Sequence, residues 1–117
     1  MKPIVLIVGK LPHVVGQIAQ ELEHLPIEWL GAHDQPEMLR QLETEPRIEC
    51  VIIGGSLDDD TRGDIVALIA ATRPDLCIHI KDRASGPEGM VPFVARVVHH
   101  HVLSDKLEPW HLPVHAA

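Results

Sequence analysis

Short apolar runs alternate with longer stretches of mixed polarity along most of the chain. Residues 4–8 are all β-branched or leucine, and a run of that length is too short for a buried helix. It therefore predicts a strand that is buried on both faces. Comparable runs predict three further strands, at residues 27–32, 50–53 and 76–80.

Amphipathic helical patterns occupy the intervals between these runs. The first pattern ends at Pro26, and the second begins at Asp34, an acidic residue in the position of an N-cap. Either Asp60 or Thr61 can cap the third helix, which stops at Pro74. Each interval is therefore long enough to carry the chain back across a sheet.

The segment after the fourth strand is harder to assign. Residues 81–89 are polar and glycine-rich, which predicts a loop or at most one helical turn. Residues 91–102 are helix-like, and Pro92 is acceptable only in or just before the first turn. Because many residues there are β-branched, a short fifth strand near residues 90–93 is the alternative.

Alternating strands and helices imply right-handed crossovers and a parallel sheet with helices on both faces. We predict an α/β fold, a three-layer α/β/α sandwich with a four- or five-stranded parallel sheet in the flavodoxin-like order 2-1-3-4-5. Residues 1–103 would form this domain, and residues 104–117 would form a C-terminal tail. In this order the first and third strands end at one crevice.

Composition removes several classes of function. The 117-residue chain has a formal net charge of −7 and only 3% aromatic residues, so we expect no nucleic-acid partner. No apolar stretch approaches the roughly 18 residues of a membrane span, and the N-terminal run lacks the pattern of a signal peptide. Two cysteines within apolar runs indicate buried free thiols in a reducing compartment. We therefore expect a cytoplasmic protein with no membrane partner.

Glycines at two predicted strand ends mark a candidate ligand site. Gly9 follows the first strand, Gly54 and Gly55 follow the third, and Lys10 and Ser56 lie beside them. Small residues there would let a ligand approach the backbone, and Lys10 could meet an anion. The stretch from Gly9 lacks the spacing of a phosphate loop, so tight strand-to-helix turns are the preferred interpretation of these glycines. No catalytic residue is predicted, because no nucleophile pattern occurs.

Two other groups of side chains could bind a metal ion. Asp58 and Asp59, within a run of three aspartates, are candidate Mg²⁺ ligands, although a solvated loop with a helix cap is the preferred interpretation of the run. No other cofactor is expected. The histidines at 99–101 point in different directions on a helix and would not chelate as a set. His79 lies within a predicted strand and is interpreted as a packed, hydrogen-bonded histidine.

Two short segments resemble a known family. Residues 51–59 read Val-Ile-Ile-Gly-Gly-Ser-Leu-Asp-Asp, with Gly63 near the start of the next helix. Residues 73–76 read Arg-Pro-Asp-Leu before the fourth strand. Together with the element order, these features resemble the receiver domain of response regulators, of the chemotaxis-regulator type, over roughly residues 3–103.

The departures from the receiver pattern concern its chemistry. Gly54 stands at the position that matches the phosphorylated aspartate, and Gly9 and Lys10 replace the acidic pair that binds Mg²⁺. Lys81-Asp82 stands where the switch Ser or Thr is expected, and Val91-Pro92-Phe93 lacks the lysine of the Lys-Pro-Phe triplet. Phosphoryl transfer in the family needs the carboxylate and the metal. The resemblance therefore implies a module that is not phosphorylated by the usual route.

Two functions follow as hypotheses. The first is a non-phosphorylatable, receiver-like regulatory module that acts through a protein partner or by self-association, for instance as a homodimer. Leu107, Trp110 and Leu112 in the tail are its candidate interface residues, because an aromatic flanked by leucines favours a covering surface. Docking of the tail on its own domain is the alternative. The second function is binding of a small molecule or nucleotide, conceivably with catalysis, in the crevice at Gly9 and Gly54.

Overall fold

The computed structural model describes residues 1–103, and the predicted alternation of strands and helices is confirmed within them. The interface candidates Leu107, Trp110 and Leu112 lie outside the described residues. The elements follow in the order β1 (Ile4–Val8), α1 (His13–Glu21), β2 (Glu28–Ala32), α2 (Gln35–Thr44), β3 (Ile48–Ile53), α3 (Asp59–Thr72), β4 (Cys77–Ile80), a 3-10 turn (Pro87–Gly89), α4 (Met90–Val98) and a π-helical segment (His99–Leu103).

The sheet of the described residues has four strands in the order β2-β1-β3-β4. All three pairings are parallel, with β1 between β2 and β3 and with β4 at the edge. The chain is therefore an α/β protein with an all-parallel sheet, compatible with a flavodoxin-like fold. The carboxyl ends of all four strands lie along one edge of the sheet, as parallel pairing requires.

Residues 90–93, where a fifth strand was the alternative, form the first turn of α4 instead. Val94, Val97 and Val98 are buried at helical spacing on one side of α4, so packing decides against β-propensity here. Pro92 occupies the first turn, where its missing N–H leaves no helical hydrogen bond unmade. The prediction of a loop with one helical turn before α4 is confirmed by Pro87–Gly89.

The core lies on both faces of the sheet, because successive strand residues point to opposite faces. All five residues of β1 are buried, which confirms the predicted double burial. On one face, alternate residues of β1 and β3 cluster with Met38 of α2 and Ile65 of α3. On the other face, the remaining residues cluster with Ile18 of α1 and Val94 of α4.

The starts of α2 and α3 depend on aspartate caps. Asp34 Oδ1 accepts a 2.8 Å hydrogen bond from the amide of Glu37, which confirms the predicted N-cap of α2. The cap of α3 is Asp58, whose Oδ1 accepts a 2.7 Å bond from the amide of Thr61. The predicted cap, Asp60 or Thr61, was wrong, because both residues already lie inside the helix. Asp58 precedes the helix with an extended backbone, and its side chain reaches the amide of Thr61 three positions later.

Two further expectations concern the whole described part of the chain. No helix within residues 1–103 has the length and apolar character to cross a membrane. Cys50 and Cys77 form no disulfide, as predicted, but only Cys50 is fully buried. Cys77 is half-buried because it lies on the edge strand.

Because α1 packs on β2, alanine substitutions at two glycines should change the free energy of unfolding in opposite directions. Gly16 is exposed within α1 and an added Cβ would meet nothing within 4 Å, so Gly16→Ala should raise the free energy of unfolding by about 0.5–1 kcal/mol. At Gly31 an added Cβ would lie 2.6 Å from Val15 Cγ2. Gly31→Ala should therefore lower the same free energy by about 1–3 kcal/mol. Urea unfolding measures both; equal stability of the two variants would contradict the α1–β2 packing.

Candidate functional site

A cavity of about 310 Å³ opens at the carboxyl ends of β1, β3 and β4. Helix α1 supplies one wall, and the segment from the end of β4 to the start of α4 supplies the opposite wall. Strand ends in parallel sheets expose backbone groups to such crevices, which is why ligands commonly bind there. The lining residues from the strand ends are Ile7, Val8, Gly9, Gly54, Gly55, Ser56, Lys81, Asp82 and Arg83.

Three hydrogen bonds join the strand ends into one continuous rim. The amide of Gly54 donates to the carbonyl of Val8 at 2.8 Å, and the amide of Lys81 donates to the carbonyl of Ile53 at 2.9 Å. The amide of Lys10 donates to Ser56 Oγ at 3.4 Å and so links the loops after β1 and β3. The sheet pairing thus continues past the last strand residues and fixes the floor of the cavity.

Most of the candidate ligand residues predicted from the sequence come together here. Gly9, Gly54, Gly55 and Ser56 all line the cavity. Lys10 is exposed and does not line it, so only its backbone contributes to the rim. A Cβ at residue 54 would lie 3.4 Å from the carbonyl oxygen of Val8, so the strand end is closely packed against β1 at this glycine.

Lys81 is a structural centre of the site that sequence reasoning missed. Its side chain is buried, and Nζ donates to the carbonyl of Asp82 at 2.5 Å, to Ser85 Oγ at 2.6 Å and to the carbonyl of Gly86 at 3.2 Å. These acceptors satisfy the three protons of the ammonium group. The loop from Asp82 to Gly86 is therefore wrapped around a cation, which holds this wall of the cavity in place. The one feature of the sequence that could have indicated this role is a lysine that directly follows a strand and precedes a loop with Ser85 and Gly86.

Two arginines tie the loop after β3 to the loop after β4. Arg62, buried in the first turns of α3, donates from Nη1 to the carbonyl of Lys81 at 2.7 Å. Arg83, in the loop after β4, donates from Nη2 to the carbonyl of Leu57 and from Nη1 to Asp59 Oδ1, both at 2.6 Å. These contacts could not be predicted from the sequence, because an arginine near a helix start is usually solvated.

The predicted Mg²⁺ ligands have other partners in this structure. A hydrogen bond from Thr61 lowers the pKa of the Asp58 carboxyl group, and the hydrogen bond and charge of Arg83 lower the pKa of Asp59. Both carboxylates are ionised but engaged, one as a helix cap and one as an ion-pair partner. Within residues 1–103 neither belongs to a cluster of three metal-ligating side chains. A Mg²⁺ site at Asp58 and Asp59 stays a prediction.

Asp82, one of the ionisable residues of the cavity wall, is poorly suited to act as a general base. Asp82 accepts from the amide and the hydroxyl of Ser85, at 2.8 and 3.1 Å, and these bonds lower the pKa of its carboxyl group. A general base works best with a pKa near the working pH. The pKa of Asp82 is lowered, away from that range. The ammonium group of Lys81 already donates hydrogen bonds to oxygens of the loop. The arrangement is a preformed wall whose charges are satisfied internally.

Compared with known proteins, the chain matches no family model, no curated protein and no solved structure.

Replacement of Lys81 by methionine should loosen the cavity wall. Lys81→Met removes the donors for three oxygens of the loop, so we expect the free energy of unfolding to fall by about 2 kcal/mol. Lys2→Met, at an exposed lysine, should change it by less than about 0.5 kcal/mol. Urea unfolding of both variants makes the comparison. Equal stability of the two would mean that the ammonium does not organise the loop.

The lowered pKa of Asp82 predicts a pH dependence. A carboxylate with a lowered folded-state pKa stabilises the protein above its unfolded pKa, near 3.8, and this stabilisation is lost as the pH falls through the folded-state pKa. Asp82→Asn should therefore be less stable than the wild type at pH 7, and the difference should shrink below about pH 4. Glu23→Gln, at an exposed turn, is the control for the loss of one carboxylate charge. A pH-independent difference for Asp82→Asn would contradict the assignment.

Proposed function

We propose that this chain is a three-layer, flavodoxin-like α/β module that binds a small molecule in the cavity at the carboxyl ends of β1, β3 and β4, without catalysing a reaction. The observation that carries the proposal is the cavity itself, which at about 310 Å³ lies at the lower end of the range for small-molecule sites. The two hydrophobic clusters on opposite faces of the sheet support the layered arrangement.

The walls of the cavity favour a ligand with an apolar body. Helix α1 contributes Val14 and Ile18, the segment before it contributes Leu11, and the opposite wall contributes Met90 and Val91. Apolar surface of this kind gains free energy when a ligand displaces water from it, by about 25 cal/mol per Å². A strongly charged ligand such as a nucleotide would place no apolar group against these side chains.

The floor favours one hydrogen-bond-accepting group on the ligand. Gly55 and Ser56 line the cavity, and within residues 1–103 their amides donate to no backbone carbonyl. Successive amides of this kind bind carboxylate or carbonyl oxygens. The ligand class is therefore a small, mostly apolar molecule with a single acceptor group such as a carboxylate.

Filling the cavity tests this function. Gly9 has room for a side chain, since an added Cβ would meet only Ser56 Oγ, at 3.8 Å, and its φ is not in the left-handed region. Gly9→Leu should therefore fold normally and abolish saturation-transfer NMR signals from bound benzoate and hexanoate. Gly16→Leu, on the exposed side of α1, should leave these signals unchanged.

The same screen includes nucleotides with Mg²⁺ as the rival ligand class. Binding of the carboxylates to the wild type and to Gly16→Leu, but not to Gly9→Leu, is the expected result. Binding of nucleotides alone would overturn the ligand class. Equal carboxylate binding by Gly9→Leu and Gly16→Leu would overturn the location, and no binding of any probe at millimolar concentration would overturn the function.

A non-phosphorylatable, receiver-like regulatory module is the second candidate. It is favoured by the sheet order β2-β1-β3-β4 together with Gly54 at the end of β3, the position that matches the phosphorylated aspartate of receivers. In this function the chain would act through protein contacts or as a homodimer in the cytoplasm. The predicted interface residues are Leu107, Trp110 and Leu112.

Substitution of the three tail residues tests the second candidate. If the tail forms a homodimer interface, the full chain with Leu107, Trp110 and Leu112 each replaced by serine should have half the wild-type mass in light scattering. A monomeric wild type would contradict self-association. An unchanged dimer in the substituted chain would contradict the interface.

A further inference from the structure

A cluster of two cysteines and a histidine lies on the sheet, apart from the cavity. The ligand atoms of Cys50, Cys77 and His79 all lie within 4.8 Å of one another. None of the three residues lines the cavity at the strand ends. Among residues 1–103 this is the only group of three such side chains close enough to hold one metal ion.

Strand register explains why these residues meet. Cys50 of β3 is the direct partner of Cys77 of β4, and His79 follows two residues later, so it points to the same face. That face is covered by α1 and α4, because Cys50 belongs to their hydrophobic cluster and Cys77 packs against it. The cluster therefore lies where β3 pairs with the edge strand β4, in a partly buried environment.

The imidazole of His79 supplies an independent observation. Its Nε2 atom is buried and has no hydrogen-bond partner among the described residues. The sequence led us to expect a hydrogen-bonded histidine, and for Nε2 the structure does not show one. A buried polar atom without a partner costs free energy, so such atoms in native proteins usually have a ligand, water or ion beside them.

We propose that Cys50, Cys77 and His79 bind a thiophilic divalent cation of the Zn²⁺ class. Two thiolates and one imidazole are a ligand set that selects zinc-like ions over Mg²⁺ and Ca²⁺, which require oxygen ligands. His101 of the π-helical segment lies beside the cluster, with its ring centroid 4.5 Å from that of His79. It can supply the fourth ligand of a tetrahedral site.

Charge balance is compatible with this assignment. A divalent cation that binds Cys50 and Cys77 as thiolates replaces two thiol protons, so the total charge of the site does not change.

Cobalt(II) titration of the reduced, full-length protein tests the site. Co²⁺ substitutes for Zn²⁺, and sulfur ligands give it charge-transfer absorption that histidine ligands alone do not. We expect one Co²⁺ per chain with this absorption, and its displacement by one equivalent of Zn²⁺. Cys77→Ser should abolish the absorption. His79→Gln should weaken Zn²⁺ binding by more than the roughly 10–100-fold that loss of an outer-shell partner costs.

Two controls separate this site from histidine binding elsewhere. His24→Gln and the double variant His99→Gln/His100→Gln should keep the sulfur absorption and the affinity. Circular dichroism and urea unfolding of the metal-free variants establish that each one folds. Absence of sulfur absorption in the wild type, its persistence in folded Cys77→Ser, or its loss in the double variant would overturn the proposal. Metal binding without sulfur absorption would identify adventitious binding by the exposed histidines.

Discussion

The buried ammonium group of Lys81 holds together the loops around the cavity at the carboxyl ends of the strands. The side chain of Lys81 is buried, so water cannot solvate its charge and its donors must bind protein oxygens instead. The loop after β4 supplies them from Asp82, Ser85 and Gly86. Arg62 binds the carbonyl of the same residue, so the start of α3 is held to the end of β4. One residue thereby fixes two of the loops that surround the cavity.

With that wall fixed, the small residues at the strand ends leave an open space instead of a packed core. Gly9, Gly54 and Gly55 place backbone where side chains would otherwise lie. This links the two functional hypotheses physically. A glycine at position 54 provides no carboxylate for receiver chemistry, and in the small-molecule hypothesis the same glycine leaves room for the ligand. Of the two hypothetical functions, small-molecule binding is the one that depends only on residues already present at the cavity.

Local patterns predicted the parts of the structure that depend on local physics. The buried run of β1 and the Asp34 cap are examples, since burial on both faces and capping require only nearby residues. The glycines of the cavity were also predicted, because parallel strands must end at one edge. The start of α4 was ambiguous, because its β-branched residues are compatible with a strand until their packing against the sheet is known.

The contacts that could not be predicted join residues far apart in the sequence. Arg62 and the carbonyl of Lys81 are 19 residues apart, and their contact depends on the geometry of two loops. Cys50 and Cys77 meet only because the register of β3 and β4 makes them direct partners. Each cysteine alone looks like an ordinary buried thiol, and His79 like an ordinary strand residue. Side-chain clusters of this kind require the pairing register, which the hydrophobic pattern does not contain.

The central claim is that the strand-end cavity is a preformed ligand site, and mapping of amide chemical shifts tests it most directly. Benzoate added to isotopically labelled protein should shift the amide resonances of Gly9, Gly54, Gly55 and Ser56, with saturation, and leave residues at the amino ends of the strands unchanged. Shifts centred on any other surface, or no saturable shift, would contradict the account.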